Sequence, residues 1–454
     1  MDDAPALIND IEDYCRRNGM AESTFGRLSV NDGKFVSRVR AGGRVTTRTV
    51  AKVQDFMAET HASSPATKPT AKKSPAKKAS KDPRPFRFYD NRQKYLLFVN
   101  TCSEKWVIAE RVGMELQYLS PQPPALRVFD AGMGDGTVLT RVMRQMHRRF
   151  PTAPFFIVGK EISLEDVRLG LEKMPDRFFE HPATVLVVTN LYYTESPWLM
   201  PRSVEAASML NWQEVPLAGS TSYEFDEQIK ALQPTLSEGW QVRSSAKTGN
   251  PLYERPSVLV LYREDHRFLL DPIIPKPGQN TGNYDLVIAS QPYRARMPLE
   301  FKASRVVSPL ASSLAAGGRM LVIHSHGGDP GLEIIRRVWA DEDPFVHNRH
   351  DLLKMTKQTL KGTHRDLNYQ AYADQRALFR YDMHTLPSEI GESIGTSTLL
   401  AAWNAAIYVA QIDDQRVDEA MRGEAYLDAT RDVLRERGGL WFNDESFVIS
   451  RRRL

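Results

Sequence analysis

Hydrophobic and polar positions follow three different patterns along this chain. Over 1–60 the apolar residues recur at helical spacing. Pro5 suits a first helical turn, Gly19 a C-cap, Ser23 or Thr24 an N-cap, and Asn31-Asp32-Gly33 a turn. Gly42-Gly43 ends the next element, and Thr46 can cap a last helix to about Glu59, with Val50, Val53 and Phe56 on one face. Four short helices are expected. Residues 61–85 carry five prolines and no aromatic or large aliphatic side chain. Such a segment cannot bury enough apolar surface to offset its ordering entropy, and it reads as a disordered, extended linker.

From Phe86 onward, short apolar runs alternate with amphipathic stretches. Strands are predicted at Leu126–Asp130, Phe155–Glu161, Thr184–Thr189, Val258–Tyr262, Leu286–Ser290 and Met320–Ser325. Helical stretches between them indicate an α/β domain over 86–396, with a mostly parallel sheet and crossover helices. The interval 195–282 lacks that alternation and reads as an insertion. Its aromatics (Trp198, Trp212, Tyr223, Phe225, Trp240 and Tyr253) are enough for a lid or an acceptor pocket. The stretch 397–437 is helical again, so 397–454 is expected as a helical extension packed on the sheet domain.

Composition narrows the class. The chain has 454 residues, 41% apolar and 26% charged, enough for two or three ordinary globular domains. No run reaches the ~20 apolar residues of a bilayer span. The acidic start MDDAPALINDIEDY has no apolar signal core. Two cysteines, Cys15 and Cys102, make neither a disulfide framework nor a Cys-based zinc site. A cytoplasmic location is the expectation.

The net charge of +4 is unevenly spread. Residues 61–85 set seven Lys/Arg against Asp82, and 22–53 set seven against Glu22 and Asp32. The remainder is near neutral or acidic.

The motif that carries chemistry is Arg127-Val-Phe-Asp-Ala-Gly-Met-Gly-Asp-Gly-Thr137. An apolar strand ends at Asp130, glycines follow at 132, 134 and 136, and a helix runs from about Thr137 to Arg149. Glycines let the backbone turn sharply and let a ligand approach the main chain. In a doubly wound sheet this first strand–helix junction is where a nucleotide-like ligand sits. The spacing is G-x-G-x-G, not the G-x-G-x-x-G of a dinucleotide cradle. A second strand ends in Lys160-Glu161, an acid placed to accept from ribose hydroxyls. A third ends at Thr189-Asn190, a fourth reads Asn283 to Tyr293, and Gly317-Gly318 precedes the fifth.

With those features in that order, the stretch from Arg127 to His326, insertion excluded, resembles the class I S-adenosylmethionine-dependent methyltransferases. The resemblance implies a seven-stranded, doubly wound, Rossmann-like sheet and S-adenosyl-L-methionine as cofactor. It implies that Asp130, Gly132, Gly134 and Gly136 surround the methionine end, that Glu161 holds the ribose, and that Asn190 lies near the adenine. Ser290-Gln-Pro-Tyr293 resembles the D/N/S-P-P-Y/F motif of methyltransferases acting on planar amino groups, with Gln291 in place of the first proline. It nominates Ser290, Gln291 and Tyr293 to orient the acceptor. His324 and His326 share a side of the fifth strand by alternation. His324 is a candidate to remove a proton, and no metal site is expected.

Residues 24–53 resemble the helix-turn-helix of the phage-repressor type. In that motif the second helix enters the major groove, which nominates Lys34, Ser37, Arg38 and Arg40. The Ser/Pro/Ala-Lys-Lys units of the linker resemble linker-histone tails and would bind phosphates non-specifically. DNA is therefore the expected partner of 22–85. A helical bundle that pairs two copies of the chain is the alternative.

The combined expectation is a methyltransferase acting on an N or O acceptor (small molecule, protein or nucleic acid) with a DNA-associating head. A DNA-binding regulator that uses the same fold to sense cofactor or metabolite is the alternative.

Overall fold

The computed structural model describes residues 4–18, 22–30, 32–41, 45, 47–59, 92–245, 251–280, 282–384 and 394–453. The linker 61–85, and the punctuating residues Gly19, Asn31, Gly42, Gly43 and Thr46, lie outside the described residues. The chain divides into two units, 1–81 and 82–454.

The smaller unit has the four expected helices: α1 (Ala4–Asn18), α2 (Glu22–Val30), α3 (Phe35–Arg40) and α4 (Thr47–Glu59). Leu7, Ile11, Tyr14, Phe25, Phe35, Val36, Val39 and Val53 form its core. The Tyr14, Phe25 and Phe56 rings meet at its centre, 5.4–6.0 Å apart.

In the larger unit, α5 (Arg92–Thr101) and α6 (Glu104–Gly113) precede the sheet, and α7 (Thr137–Arg149) follows its first strand. The strands are β1 (Leu126–Asp130), β2 (Phe155–Lys160), β3 (Thr184–Thr189), β4 (Asn211–Leu217), β5 (Val242–Ser244), β6 (Pro251–Tyr253), β7 (Ser257–Arg263), β8 (Tyr284–Ser290), β9 (Leu314–Ser325), β10 (Leu367–Gln370), β11 (Leu378–Asp382) and β12 (Trp441–Arg451). Ten of them form one sheet in the order β10-β12-β9-β8-β1-β2-β3-β7-β4, with β11 pairing on β12. The strands β9-β8-β1-β2-β3 run parallel, while β12 is antiparallel to β9 and β7 to β3. This is a doubly wound, Rossmann-like sheet.

Its central strands are buried along almost their whole length because helices cover both faces, which is why they read as continuous apolar runs. On one face α7 buries Val138, Leu139, Val142, Met143 and Met146 against β1 and its neighbours. Among the described residues no helix is long and apolar enough to cross a membrane.

Two stretches differ from expectation. The interval 195–282 supplies β4 and β7 to the sheet itself. Its aromatics do not form a lid: Phe225 and Trp240 are core residues, Trp212 and Tyr253 pack against the core, and Tyr223 is exposed. The stretch after 437 is not helical. It forms β12, which inserts between β9 and β10. Asn443-Asp-Glu-Ser446 is polar, so it hides a strand whose residues from Phe442 to Ser450 are nearly all buried.

Candidate active site

After Asp130 the chain must turn from β1 into α7 within a few residues. Gly134 and Gly136 make this turn with left-handed backbone, φ 53° and 75°, which a Cβ would strain. A Cβ on Gly136 would also stand 2.9 Å from Gly170 Cα. The turn opens Gly132 to a cleft at the ends of β1 and β8, which Asp130, Ser290 and Gln291 also line.

Asp130 is 2% exposed. Its Oδ1 accepts from the Gly132 N–H at 3.3 Å, while Oδ2 is buried with no partner among the described residues. Burial pushes its pKa up to about 7, against the Gly132 hydrogen bond and the charge of Lys105. Glu161 reaches the same loop. Its Oε2 accepts from Gly134 N at 2.9 Å and its Oε1 from Ile162 N and Ser163 N at 2.7 and 2.9 Å. The carboxylate therefore braces the glycine turn against the end of β2.

Helices α5 and α6 close the other side. A Cβ on Gly134 would stand 3.4 Å from the Tyr95 hydroxyl and 3.7 Å from Lys105 Nζ. Lys105 lines the cleft and, among the described residues, no carboxylate comes within ion-pair distance of it. Burial opposes its charge, but Tyr95, Glu104 and Asp135 around it outweigh that and raise its pKa.

At the β8 end, Gln291 has a left-handed backbone, φ 47°. Strain of this kind in a non-glycine residue persists only where the surroundings hold it. Here Gln291 N donates to Ile323 O at 2.8 Å, and Nε2 donates to Ser325 Oγ at 3.2 Å and to both Asp444 oxygens at 3.3 Å.

Besides Gly134, Gly136 and Glu161, which form and brace the turn without lining the cleft, three further nominated residues are not part of its wall. Asn190 is fully buried and structural: its amide donates to Gly239 O and Arg255 O and accepts from Ser257 N, so it is not available to an adenine. Tyr293 and His324 lie on the other face of the sheet, where the Tyr293 hydroxyl meets His324 Nδ1 at 3.0 Å and His324 Nε2 meets Glu445 at 2.8 Å. With both ring nitrogens engaged and 5% exposure, His324 is a structural histidine and not a base for the cleft. His326 does share its side, 3.7 Å from the same glutamate.

The sequence reading missed Tyr95, Phe98, Glu104 and Lys105 on α5 and α6, and Tyr381, Tyr408 and Gln411 from the C-terminal part, all of which line the cleft. None belongs to a motif.

No protein-family model matches this sequence, and no curated protein matches it. Solved structures do match. A plantazolicin methyltransferase in complex with SAH is 9% identical, over 81% of this chain and 92% of that one, with a TM-score of 0.31. A geranyl diphosphate methyltransferase in complex with GPP and sinefungin is 13% identical, over 76% of each chain, with a TM-score of 0.28. PKMT2 from Rickettsia typhi is 9% identical, over 76% of this chain and 52% of that one, with a TM-score of 0.28.

Proposed function

We propose that this chain is an S-adenosylmethionine-dependent methyltransferase that serves an N or O acceptor, with an N-terminal head that associates with DNA. The observation that carries the first part is the pair of polar atoms flanking the glycine turn. Among the described residues, Asp130 Oδ2 is buried without a partner, and Lys105 Nζ approaches the turn without a carboxylate in ion-pair reach. An acceptor and a cation so placed suit the ammonium and carboxylate ends of an amino acid. Asp130 would hold the cofactor's ammonium and Lys105 would face its carboxylate. Glu161 keeps lone pairs beyond its three backbone hydrogen bonds, enough to accept from sugar hydroxyls.

Bound there, S-adenosylmethionine supplies an electrophilic methyl group. Ser290 and Gln291 line the same cleft and would orient the acceptor, so that rate comes mainly from holding the reactants at about 3 Å. Calorimetry with S-adenosylhomocysteine tests this reading. The full chain should bind it, and Lys105→Ala should bind it at least tenfold more weakly. No heat of binding to the folded wild-type protein would overturn the reading.

The proposal for the head rests on α3. Lys34, Ser37, Arg38 and Arg40 are exposed there. Arg38 pairs with Asp32 at 2.9 Å, and Arg40 pairs with Glu12 and Glu22 at 2.6 and 2.7 Å. Exposed pairs are worth only about 0–1 kcal/mol, so a phosphate can replace the single partner of Arg38. Arg40, held by two acids, is a brace of the head before it is a DNA contact. The Lys-rich 61–85 would add sequence-independent affinity.

A further inference from the structure

We propose that the part of the cleft lined by Glu104, Tyr381 and Gln291 is a binding site for the ammonium group of a small compound. If the function proposed above holds, that compound is the methyl acceptor and takes the methyl on another N or O atom, since an ammonium nitrogen has no lone pair. Only the word acceptor rests on that reading. The site itself rests on Glu104, Tyr381, Gln291 and the residues behind them.

Glu104 and Tyr381 line the cleft at 8% and 1% exposure, and the Tyr381 hydroxyl is buried with no hydrogen-bond partner among the described residues. Behind them Asp444, fully buried, engages the Gln291 amide nitrogen. That leaves Gln291 Oε1 as an acceptor with no protein donor among the described residues. No Lys, Arg or His among the described residues lies within ion-pair distance of Glu104 or Asp444. Lys105 acts on Glu104 from beside the glycine turn, but the charges that act most on Asp444 are acids, Glu104 and Asp329.

Buried carboxyls without a cation are costly, and here burial raises both pKa values, helped at Asp444 by Glu104 and Asp329 and at Glu104 by Asp135 against the pull of Lys105. Three aromatic rings complete the wall: Phe98 lies 4.7 Å from Tyr408 and 6.1 Å from Tyr381, centroid to centroid. An ammonium group satisfies all of this together. It offers N–H donors to Glu104, Gln291 Oε1 and the Tyr381 oxygen, cancels the acidic field, and suits the ring faces. An anion would be repelled, and an apolar ligand would leave the tyrosine hydroxyl unpaired.

The test uses the full chain with propylammonium chloride, and with propan-1-ol as a neutral probe of similar size, read by saturation-transfer NMR titration. S-adenosylhomocysteine binding is measured separately by calorimetry. Propylammonium should bind at least tenfold more tightly than the alcohol. Glu104→Gln and Tyr381→Phe should each weaken it at least fivefold, and Tyr381→Phe should leave S-adenosylhomocysteine affinity unchanged. Equal binding of the two probes, or wild-type ammonium affinity in both variants, overturns the site. Should Glu104→Gln not fold, Tyr381→Phe decides alone, because it removes a hydroxyl that bonds nothing. If propylammonium binds and S-adenosylhomocysteine does not, the ammonium site stands and the methyltransferase reading falls; the reverse result overturns the site alone.

Discussion

His324 Nε2 lies 2.8 Å from Glu445 Oε1, joining β9 to β12 at the place where the sheet changes from parallel to antiparallel. Glu445 is 1% exposed and also accepts from Arg349 N and Nη1, each at 2.8 Å. The far side of His324 meets the Tyr293 hydroxyl. One buried carboxylate thus ties the end of β8, the end of β9, β12 and the helix beginning at Arg349 into a single polar network.

Burial alone would raise the Glu445 pKa, but hydrogen bonds from His324 and Arg349, with His326 3.7 Å away, hold it well below the usual carboxylate range. A carboxyl depressed in the folded state contributes stability above its unfolded pKa and loses it as pH falls through the folded value. Glu445→Gln takes away one of the two carboxylates that pair with Arg349, leaving Asp374, and should cost about 1.5–3 kcal/mol near neutrality. The acid limb of its melting curve, below about pH 4, should also flatten. Thermal denaturation across the acid range checks both effects, and a variant with the wild-type profile would remove Glu445 from this role.

Asp130 has the opposite sign. Its pKa, pushed up to about 7, means that ionising it in the fold costs stability as pH rises from the unfolded value toward 7. Asp130→Asn should therefore be more stable than the wild type at pH 8, by on the order of 2–4 kcal/mol, and about equal to it at pH 4. The same variant should bind S-adenosylhomocysteine more weakly. A gain in stability with a loss of binding is the mark of a residue kept for a ligand, and a loss of both would make Asp130 structural.

Gly134→Leu should fold with a loss of about 1–2 kcal/mol, the cost of a left-handed L-residue. Its side chain would meet Tyr95 and Lys105 and fill their side of the turn. Cofactor binding should be abolished. Near-native affinity for S-adenosylhomocysteine in the folded variant would rule this turn out as the site.

Within the head, Arg40→Ala should destabilise the helical unit, while Lys34→Ala and Arg38→Ala should leave its melting temperature close to wild type. On duplex DNA, Arg38→Ala should reduce sequence-specific binding by roughly 1–3 kcal/mol if it reaches a base edge. Lysine changes in 61–85 should weaken binding to all sequences and flatten the salt dependence. A chain of 86–454 that bound DNA as tightly as the full protein would take the head out of that role.

Elements whose signal is local were legible in the chain itself. The run into Asp130, the glycines after it and the helix to Arg149 stand where their spacing put them, because strand, turn and helix here are each decided within a dozen residues. The parallel strands were legible for the same reason: burial on both faces writes an uninterrupted apolar run. Ser290 and Gln291 could be found from the end of such a run, and they do line the cleft.

What the sequence by itself determined is thus the α/β class, the first strand–turn–helix, the place of Glu161 at the end of the second strand and a four-helix head. Only the tertiary structure decided that β12 inserts antiparallel beside β9, since Asn443–Ser446 becomes a buried strand through β9, more than a hundred residues away, and β11, more than sixty residues away. It also decided the fates of Asn190, Tyr293 and His324. Asn190 finds backbone partners from 239 to 257, and the left-handed turn at Gln291 sends Tyr293 to the face where His324 meets Glu445. The cleft's cation, acids and aromatic wall come from α5, α6, β11 and the helix Thr396–Val409, elements far apart in the chain with no shared motif. Local spacing fixes an element through short-range backbone preferences, whereas a site built across such separations exists only once packing has paid the entropy of bringing them together.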